Sequence, residues 1–460
     1  MVATTATSPI WPGYRRRTPE AEPLYQVVAD HLETFLERTR SSDRQLPAYV
    51  EQELRAYLEC GILAHGFVRV RCEDCGHSQP VAFSCKKRGF CQGCMGRRMA
   101  DTAARLVDEI LPPVPVRQWV LSLPYEIRYR MAWDGQLVSA VLTIFLQAVY
   151  ACYRRQAKAQ GHGEPRCGSV TFVQRFGSVV NLNPHFHVLV PDGVYVTGDD
   201  GKPTFVPAPK LTDDDVQAIV ETTATRVVRL CERRGLLEEG NPDPLYEQEP
   251  LLATLTAASV QGTVATGERA GQRVRRRLLD PQEGVRTAEL CYASRGFSLH
   301  AATRIGADDR ARLERLCRYV MRPPLAAGKL QLLDPETLTF ALKTPWSDGT
   351  THVVLSPMEL LEKLAALVPP PRLHLVRYHG VLAPNAADRQ HIAPEPSSQI
   401  DDHACAHQPA EPAEPTQTTP AKRAHRLAWA RLLARVFLVD ATVCPACGGH
   451  MKIVAALTDP

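Results

Sequence analysis

Hydrophobic positions near the start of the chain repeat at the spacing of an α-helix. One apolar stripe consists of Leu24, Val28, Leu32 and Phe35, and a second stripe follows after Pro47. Cysteines dominate the next stretch, and residues 97–110 then predict a helix that ends before Pro112. The pattern therefore predicts a first domain over residues 20–112, which combines helices with a zinc-ribbon-like cysteine region.

Short strands and long helices mix in the middle of the chain. Strands are predicted from Val116 and near residues 169–176, 185–190 and 194–197. A long apolar helix is predicted over residues 134–160. The segment Ala307–Met321 predicts another helix, which ends there because Pro323 follows and the residue before a proline avoids α geometry. This mixture predicts an α+β fold and a second domain over residues 115–383.

The last part of the chain changes character. Residues 384–421 are rich in Pro, Ala, Glu, Gln and Thr and have few large apolar groups, which predicts a flexible linker. Residues 422–460 contain a short basic segment, predicted to be a helix, and a final Cys-x2-Cys pair.

The composition is that of a soluble protein with several domains. The 460 residues are 44% hydrophobic and 23% charged, and the formal net charge is only +4. So small a net charge does not decide whether the partner is anionic, and local basic clusters must decide it. Fourteen cysteines in no evident disulfide framework predict reduced thiols in a cytoplasmic protein.

Two features bear on membranes. The first residues lack the apolar segment of a secretory signal. The most apolar run, Leu137–Tyr153, carries Ser139, Thr143 and Gln147 at intervals of four residues. This spacing predicts a polar stripe on a mostly buried helix, so we expect no contact with a membrane.

Two Cys-x2-Cys pairs near the N-terminus have the spacing of a structural zinc site. Fifteen residues separate the pair Cys72 and Cys75 from the pair Cys91 and Cys94. Four such thiolates bind zinc at about 2.3 Å and stabilise a small domain. Cys85 and His77 are competing ligands, and four unliganded core cysteines are the alternative.

The pair Cys444 and Cys447 is half of a zinc site. The candidates for its missing ligands are His450, Cys405 with His403 and His407, or residues of a second chain. The alternative is that the two cysteines are free thiols.

Two histidines flank one phenylalanine in the stretch VNLNPHFHVLV. On a β-strand His185 and His187 project from one face, about 7 Å apart, while Phe186 points away. Polar residues gather nearby at Asn183 and Gln174, where a core strand would be apolar. The pattern predicts a divalent metal with open positions, Mg²⁺ or Mn²⁺, and two histidines satisfied by hydrogen bonds are the alternative.

A tyrosine between arginines is predicted in the stretch LERLCRYVMRPP. On a helical projection Tyr319 shares a flank with Arg315 and Arg322. Guanidinium groups bind a phosphate and favour the phenolate, so Tyr319 could attack a DNA phosphate and form a 5′-phosphotyrosyl enzyme with a free 3′-OH. A half-buried tyrosine on an ordinary basic helix is the alternative.

Basic clusters predict contact with DNA phosphates. The first surrounds the cysteines and consists of Lys86, Lys87, Arg88, Arg97 and Arg98. The second consists of Arg273, Arg275, Arg276 and Arg277. A protein-binding ribbon and a solvated loop of arginines are the respective alternatives.

Several of these stretches together resemble one known family. The runs TFVQRFGSVVNLNPHFHVLVPDGVY, GFSLHA, LERLCRYVMRPPLA and the terminal VCPACGGHMKIVAAL are similar to the rolling-circle transposases of the insertion-sequence-91 family. The segment FSCKKRGFCQGC resembles the zinc-binding domain that precedes their catalytic domain. The resemblance implies a His-hydrophobe-His (HUH) single-strand endonuclease with a central antiparallel sheet.

The resemblance also implies roles for individual residues. His185 and His187 would bind the catalytic metal, with Gln174 as a third ligand, and Tyr319 would be the nucleophile. Some members carry two tyrosines four residues apart, whereas positions 315 and 323 here are Arg315 and Pro323. The chain therefore resembles the single-tyrosine type.

Partners and alternatives follow from the same resemblance. We expect two kinds of metal ion, structural zinc and a catalytic Mg²⁺ or Mn²⁺. The expected partners are single-stranded element ends and a second copy of the chain in a homodimer. We also expect the protein to associate with the nucleoid. A plasmid replication initiator or relaxase of the same chemistry is one alternative function. A non-catalytic zinc-dependent DNA-binding protein is the other.

Overall fold

A computed structural model gives the fold and describes residues 16–41, 45–236, 243–278, 289–346, 348–394 and 443–458. Within these ranges the chain is α+β with antiparallel sheets, as predicted. The predicted basic helix and most of the predicted linker lie outside the described residues. The N-terminal elements are α1 (Pro23–Ser41), α2 (Ala48–Glu59), β1 (Phe67–Cys72), β2 (Ser78–Ala82), α3 (Gln92–Arg105) and a π-helical turn (Leu106–Ile110).

The remaining elements alternate between strands and helices. The middle of the chain forms β3 (Val116–Ser122), α4 (Tyr125–Met131), α5 (Gly135–Ala159), β4 (Gly168–Phe176), β5 (Leu182–Pro191), β6 (Gly193–Thr197), β7 (Pro203–Pro207), α6 (Asp213–Arg233), α7 (Pro244–Gln248) and α8 (Pro250–Gln261). The later part forms β8 (Arg275–Leu278), β9 (Cys291–Ser294), β10 (Phe297–His300), β11 (Arg304–Ile305), α9 (Arg310–Val320), β12 (Leu330–Asp334), β13 (Thr337–Ala341), β14 (Thr350–Leu355), α10 (Pro357–Leu367), β15 (Val376–Gly380), α11 (Arg389–Ile392) and β16 (Met451–Leu457).

The central antiparallel sheet has the strand order β15-β4-β5-β3-β10-β9, and β11 also pairs with β3. Because successive side chains on β5 point to opposite faces, Phe186 and Val188 join the apolar core formed with α5 and α6. Leu189 lies on the other face, in a core that contains Leu313 and Cys317 of α9. The two histidines share the face of Leu189, so the sheet presents them to the side covered by α9.

The starts of two helices follow local sequence signals. Thr212 and Asp215 form a capping box at the start of α6, and Ser356 and Glu359 form another at the start of α10. The apolar helix α5 is long and apolar enough to cross a membrane, but 56% of its most apolar window is buried inside the protein. Its polar stripe of Ser139, Thr143 and Gln147 is exposed. These properties are those of a core helix.

Among the described residues, three smaller sheets accompany the central one, with the orders β16-β1-β2, β12-β13-β14-β8 and β6-β7. A single apolar core unites α1 and α2 with β13, β14 and α10. The N-terminal helices are therefore packed directly on the part of the chain that follows α9.

A buried ion-pair network ties the edges of three strands to α5. Asp192, just after β5, accepts two hydrogen bonds from the Arg117 guanidinium at 2.8 and 3.0 Å. It also accepts one from Arg304 at 2.6 Å and one from the Tyr153 hydroxyl at 2.9 Å. Burial opposes ionisation, but the Arg117 and Arg304 guanidiniums hold the pKa of Asp192 below its usual value.

We expect Asp192→Ala to lower the free energy of unfolding by about 3–5 kcal/mol, because it leaves the Arg117 charge buried and unpaired. Urea denaturation followed by circular dichroism measures the change. Asp199→Ala removes an exposed carboxylate in the turn after β6 and is the matched control. A loss below about 1 kcal/mol for Asp192→Ala, as for an exposed pair, would show that the network does not hold the sheet together.

Candidate active site and cysteine clusters

The two histidines of β5 face each other across a short gap. His185 and His187 are both buried, with their Nε2 atoms 3.1 Å apart. Two ligands of an octahedral ion at about 2.1 Å, at right angles, lie roughly 3.0 Å apart. The spacing therefore fits one divalent ion shared between the two Nε2 atoms.

The opposite ring nitrogens are held by neighbouring groups. The Nδ1 of His185 donates to the Asn183 carbonyl at 2.7 Å, which leaves its Nε2 as an acceptor. The Nδ1 of His187 lies 2.8 Å from the side-chain amide of Gln118 on β3. Such partners fix ring orientation in metal sites. Gln118 is a site residue that the sequence interpretation missed.

Burial keeps both imidazoles neutral at neutral pH. Desolvation, aided by the nearby charges of Arg128 and Arg322, lowers the pKa of His185 to about 4. Desolvation also holds the pKa of His187 well below its usual value, with smaller contributions from His185 and Arg322. Neutral imidazole is the form that binds a metal, so burial favours the charge state that a ligand requires in both rings.

Amide oxygens are the nearest candidates for a third ligand. Gln174 lies directly opposite His185 on β4, and its Nε2 donates to the Val320 carbonyl at 3.1 Å. Asn183, two residues before His185, has a buried Oδ1 without a hydrogen-bond partner among the described residues. Among all the described residues, the groups of three or more His, Cys, Asp or Glu that are close enough to share an ion consist of cysteines alone. Gln174 as a ligand stays a prediction.

Tyr319 lies beside the histidine pair. It is in the last turn of α9, and its ring centroid is 6.4 Å from that of His187, edge to face at 87°. Its side chain is 39% exposed, so an external substrate can reach the phenol. The structure thus brings together Tyr319 and the histidines, which are far apart in the chain.

Two cations lie over the phenol ring. The Arg322 guanidinium carbon is 4.3 Å and the Lys343 Nζ 4.5 Å from the ring centroid. Burial opposes their effect, but Arg322 and Lys343 lower the pKa of Tyr319 below its usual value. Arg315 is exposed one turn earlier on α9 and is absent from this pair of cations. Lys343 was missed because it reaches the site from the loop after β13.

The Arg322 side chain also has an open hydrogen-bonding position. Its Nη1 is buried and has no hydrogen-bond partner within the described ranges. A buried donor without a partner is costly, and a phosphate oxygen would satisfy it.

The predicted DNA-binding residues lie in different settings. Lys86, Arg97, Arg98, Arg273 and Arg275 are exposed. Arg88 is half-buried and its Nη1 donates to the Leu373 carbonyl at 2.7 Å, which gives it a structural contact. Arg276 and Arg277 belong to β8, which pairs with β14, so this segment is a strand and not a loop. DNA contact by these residues stays a prediction.

The first cysteine cluster joins the end of α2 to the start of α3. It consists of Cys60, Cys85, Cys91 and Cys94, whose sulfurs lie within 4.8 Å of one another. Adjacent sulfurs are 3.4–3.6 Å apart, close to the roughly 3.8 Å of four thiolates around a tetrahedral zinc. Hydrogen bonds from the other three thiols and the Lys86 N–H hold the pKa of Cys94 below its usual value.

The second cluster joins the end of β1 to the last described segment of the chain. It consists of Cys72, Cys75, Cys444 and Cys447, again with all sulfurs within 4.8 Å. The prediction of one site made of Cys72, Cys75, Cys91 and Cys94 is therefore wrong in its membership, because the structure assigns the two pairs to different clusters. Cys85 belongs to the first cluster, and His77 and His450 belong to neither.

Comparisons with known proteins agree on one class. Residues 27–123 match a family described as "Transposase zinc-binding domain". Residues 168–390 match a family described as "Putative transposase". No curated protein and no solved structure matches the chain. The first match contains the whole first cysteine cluster, and the second contains both histidines and Tyr319.

Proposed function

Since the chain is a transposase of the insertion-sequence-91 type, we propose that it cuts and rejoins single-stranded DNA at element ends through Tyr319, by rolling-circle transposition. The observation that carries the proposal is the position of the Tyr319 ring 6.4 Å from His187. The antiparallel sheet with two histidines on its central strand supports a His-hydrophobe-His (HUH) endonuclease fold.

The cleavage step is a transesterification. The Tyr319 phenol loses its proton, and its oxygen forms a bond to the phosphorus of the scissile phosphodiester. The bond between phosphorus and the 3′ oxygen breaks, and that oxygen takes up a proton as a free 3′-OH. The products are a 5′-phosphotyrosyl enzyme and a DNA strand with a 3′ end.

The surrounding side chains stabilise the charge that this step creates. Lys343 and Arg322 favour the phenolate, and the open Nη1 of Arg322 is placed to donate to a phosphate oxygen. A Mg²⁺ or Mn²⁺ ion held by His185 and His187, with Gln174 or Asn183 as an oxygen donor, would supply charge to polarise the phosphate.

Rejoining reverses the same bonds. A 3′-OH attacks the phosphotyrosine, the bond from phosphorus to the Tyr319 oxygen breaks, and a phosphodiester forms. The covalent link retains the bond energy, so no ATP is required. Arg315 and Pro323 stand where a second tyrosine would be four residues away, so one tyrosine serves each strand transfer.

Zinc and the exposed cations have supporting roles in this account. The zinc-binding family match and the cysteine clusters support structural zinc. We assign the zinc of the N-terminal domain to Cys60, Cys85, Cys91 and Cys94. Contacts with the DNA backbone are assigned to the exposed basic residues Lys86, Arg97, Arg98, Arg273 and Arg275.

A single-stranded oligonucleotide from a candidate element end tests the proposal. With Mn²⁺ we expect cleavage and a protein–DNA adduct that survives a denaturing gel, and we expect neither with the same sequence as a duplex. DNA binding without any cleavage or adduct would instead favour a non-catalytic zinc-dependent DNA-binding protein. Cleavage confined to a plasmid origin would favour a replication initiator or relaxase.

We expect Lys343→Met to lower the single-turnover cleavage rate about 10- to 100-fold, because it removes one of two cations at the nucleophile. The oligonucleotide Kd should change little, which separates this role from general DNA binding. Lys343→Arg should keep most of the rate. Arg315→Met removes an exposed charge from the same helix as Tyr319 and is the matched control. Equal losses of the cleavage rate in Lys343→Met and Arg315→Met would show that Lys343 has no specific role at the nucleophile.

A further inference from the structure

We propose that Cys72, Cys75, Cys444 and Cys447 bind a second zinc ion, which fastens the last strand of the chain to the N-terminal sheet. This inference does not depend on the proposed cleavage chemistry. Cys444 and Cys447 lie outside both family matches, which cover residues 27–123 and 168–390. The site is therefore built partly from a segment to which neither match gives a role.

The sulfur positions fit a tetrahedral ion. Sγ of Cys72 is 3.6 Å from Sγ of Cys447, and Sγ of Cys75 is 3.6 Å from Sγ of Cys444. Zinc–thiolate bonds of about 2.3 Å place sulfurs roughly 3.8 Å apart in a tetrahedron. All four cysteines are free thiols, so no disulfide competes for these sulfurs.

The two halves of the site have the same local construction. Each is a Cys-x2-Cys pair followed at once by a glycine with positive φ, 74° at Gly76 and 77° at Gly448. This left-handed conformation favours glycine and turns the backbone tightly around the sulfurs. In the second half the Ala446 and Gly449 N–H groups donate to the sulfurs of Cys444 and Cys447, both at 3.4 Å. N–H donors stabilise a negatively charged sulfur, as a zinc thiolate requires.

The apolar core beside β16 is too small to hold this strand in place by itself. The core between β16 and β1 contains only Cys72, Cys444 and Met451 as buried residues of the described chain, with Val70 packed against it. The side chains of Ile453, Val454 and Leu457 on β16 are 69%, 53% and 46% exposed. Yet β16 pairs with β1 along its whole length. A small module with so little core typically depends on a metal for its stability.

Counting zinc per chain tests the site directly. Native mass spectrometry of the full chain should give two zinc ions for the wild type and one for Cys444→Ser/Cys447→Ser. Cys72→Ser/Cys75→Ser, which alters the other half, should also bind one. Cys291→Ser, an exposed cysteine of β9 outside both clusters, should keep two. A zinc count in either double variant that equals that of the wild type would overturn the proposal.

A second measurement tests the fastening itself. A specific protease site inserted between Glu414 and Pro415 allows the full chain to be cut after purification. The C-terminal fragment should co-elute with the rest of the protein in zinc and separate from it in Cys444→Ser/Cys447→Ser. Co-elution of the cut double variant would show that β16 is held without the ion and would overturn the fastening role.

Discussion

Replacing Tyr319 with phenylalanine should abolish both DNA cleavage and the covalent adduct. The change removes only the phenolic oxygen, so the ring can still pack beside His187 and under Arg322. Without the oxygen no phosphotyrosyl bond can form, and we expect the cleavage rate to fall by roughly 10⁴-fold or more. A denaturing gel with a 5′-labelled and a 3′-labelled strand measures cleavage and adduct together.

The control for this experiment is another exposed tyrosine. Tyr246 on α7 is 53% exposed, and Tyr246→Phe should cleave at the wild-type rate. Fluorescence anisotropy should give the same oligonucleotide Kd for Tyr319→Phe and the wild type. Cleavage and adduct formation by Tyr319→Phe at rates near those of the wild type would remove Tyr319 as the nucleophile.

Removing either histidine of β5 should nearly eliminate metal-dependent cleavage. We expect His187→Ala to weaken Mn²⁺ binding at least about 10²-fold, because loss of a direct ligand should exceed the 10- to 100-fold effect of an outer partner. His185→Ala should behave alike, because the two Nε2 atoms lie 3.1 Å apart and would share one ion. Isothermal titration with Mn²⁺ and the cleavage assay measure the two effects separately.

An exposed histidine provides the comparison. His374 lies on the surface after α10, and His374→Ala should bind Mn²⁺ and cleave as the wild type does. Unchanged Mn²⁺ affinity in His185→Ala and His187→Ala would place the ion elsewhere. Unchanged Mn²⁺ affinity together with lost cleavage would show that the two histidines contact the substrate and not the ion.

The strand that carries the histidines could be predicted because its local pattern is strong. The alternation around Phe186 predicts that Phe186 faces a core and that both histidines lie together on the opposite face of the strand. The capping boxes at Thr212 and Ser356 likewise depend on neighbouring residues alone. These features are local, so no knowledge of the tertiary fold was needed.

The cations at Tyr319 could be predicted only in part. The helical projection placed Arg322 on the same helix as Tyr319, whereas α9 ends at Val320. Arg322 therefore contacts the ring from the turn after the helix, and not from a helical flank shared with Arg315. Lys343 comes from the loop after β13, and its contact with the ring depends on packing between separate elements.

The zinc ligands, too, could be predicted only in part, because they also depend on contacts between separate elements. A Cys-x2-Cys spacing identifies two sulfurs that share a turn, but it does not say which other pair completes the tetrahedron. Cys60 enters the first cluster because the end of α2 packs against the residue before Cys91, with the Tyr57 and Phe90 ring centroids 5.2 Å apart. Cys444 enters the second cluster because β16 pairs with β1 from the far end of the chain. Neither contact leaves a signal in the local sequence.

The proposed chemistry requires that the Tyr319 oxygen becomes bonded to DNA beside the histidine pair. Mass spectrometry of peptides from the Mn²⁺-dependent adduct tests this most directly. We expect a nucleotide phosphate attached to the peptide that contains Tyr319, and no such peptide from His185→Ala or from reactions without metal. Attachment at a different residue, or cleavage with free 5′ ends and no adduct, would contradict it.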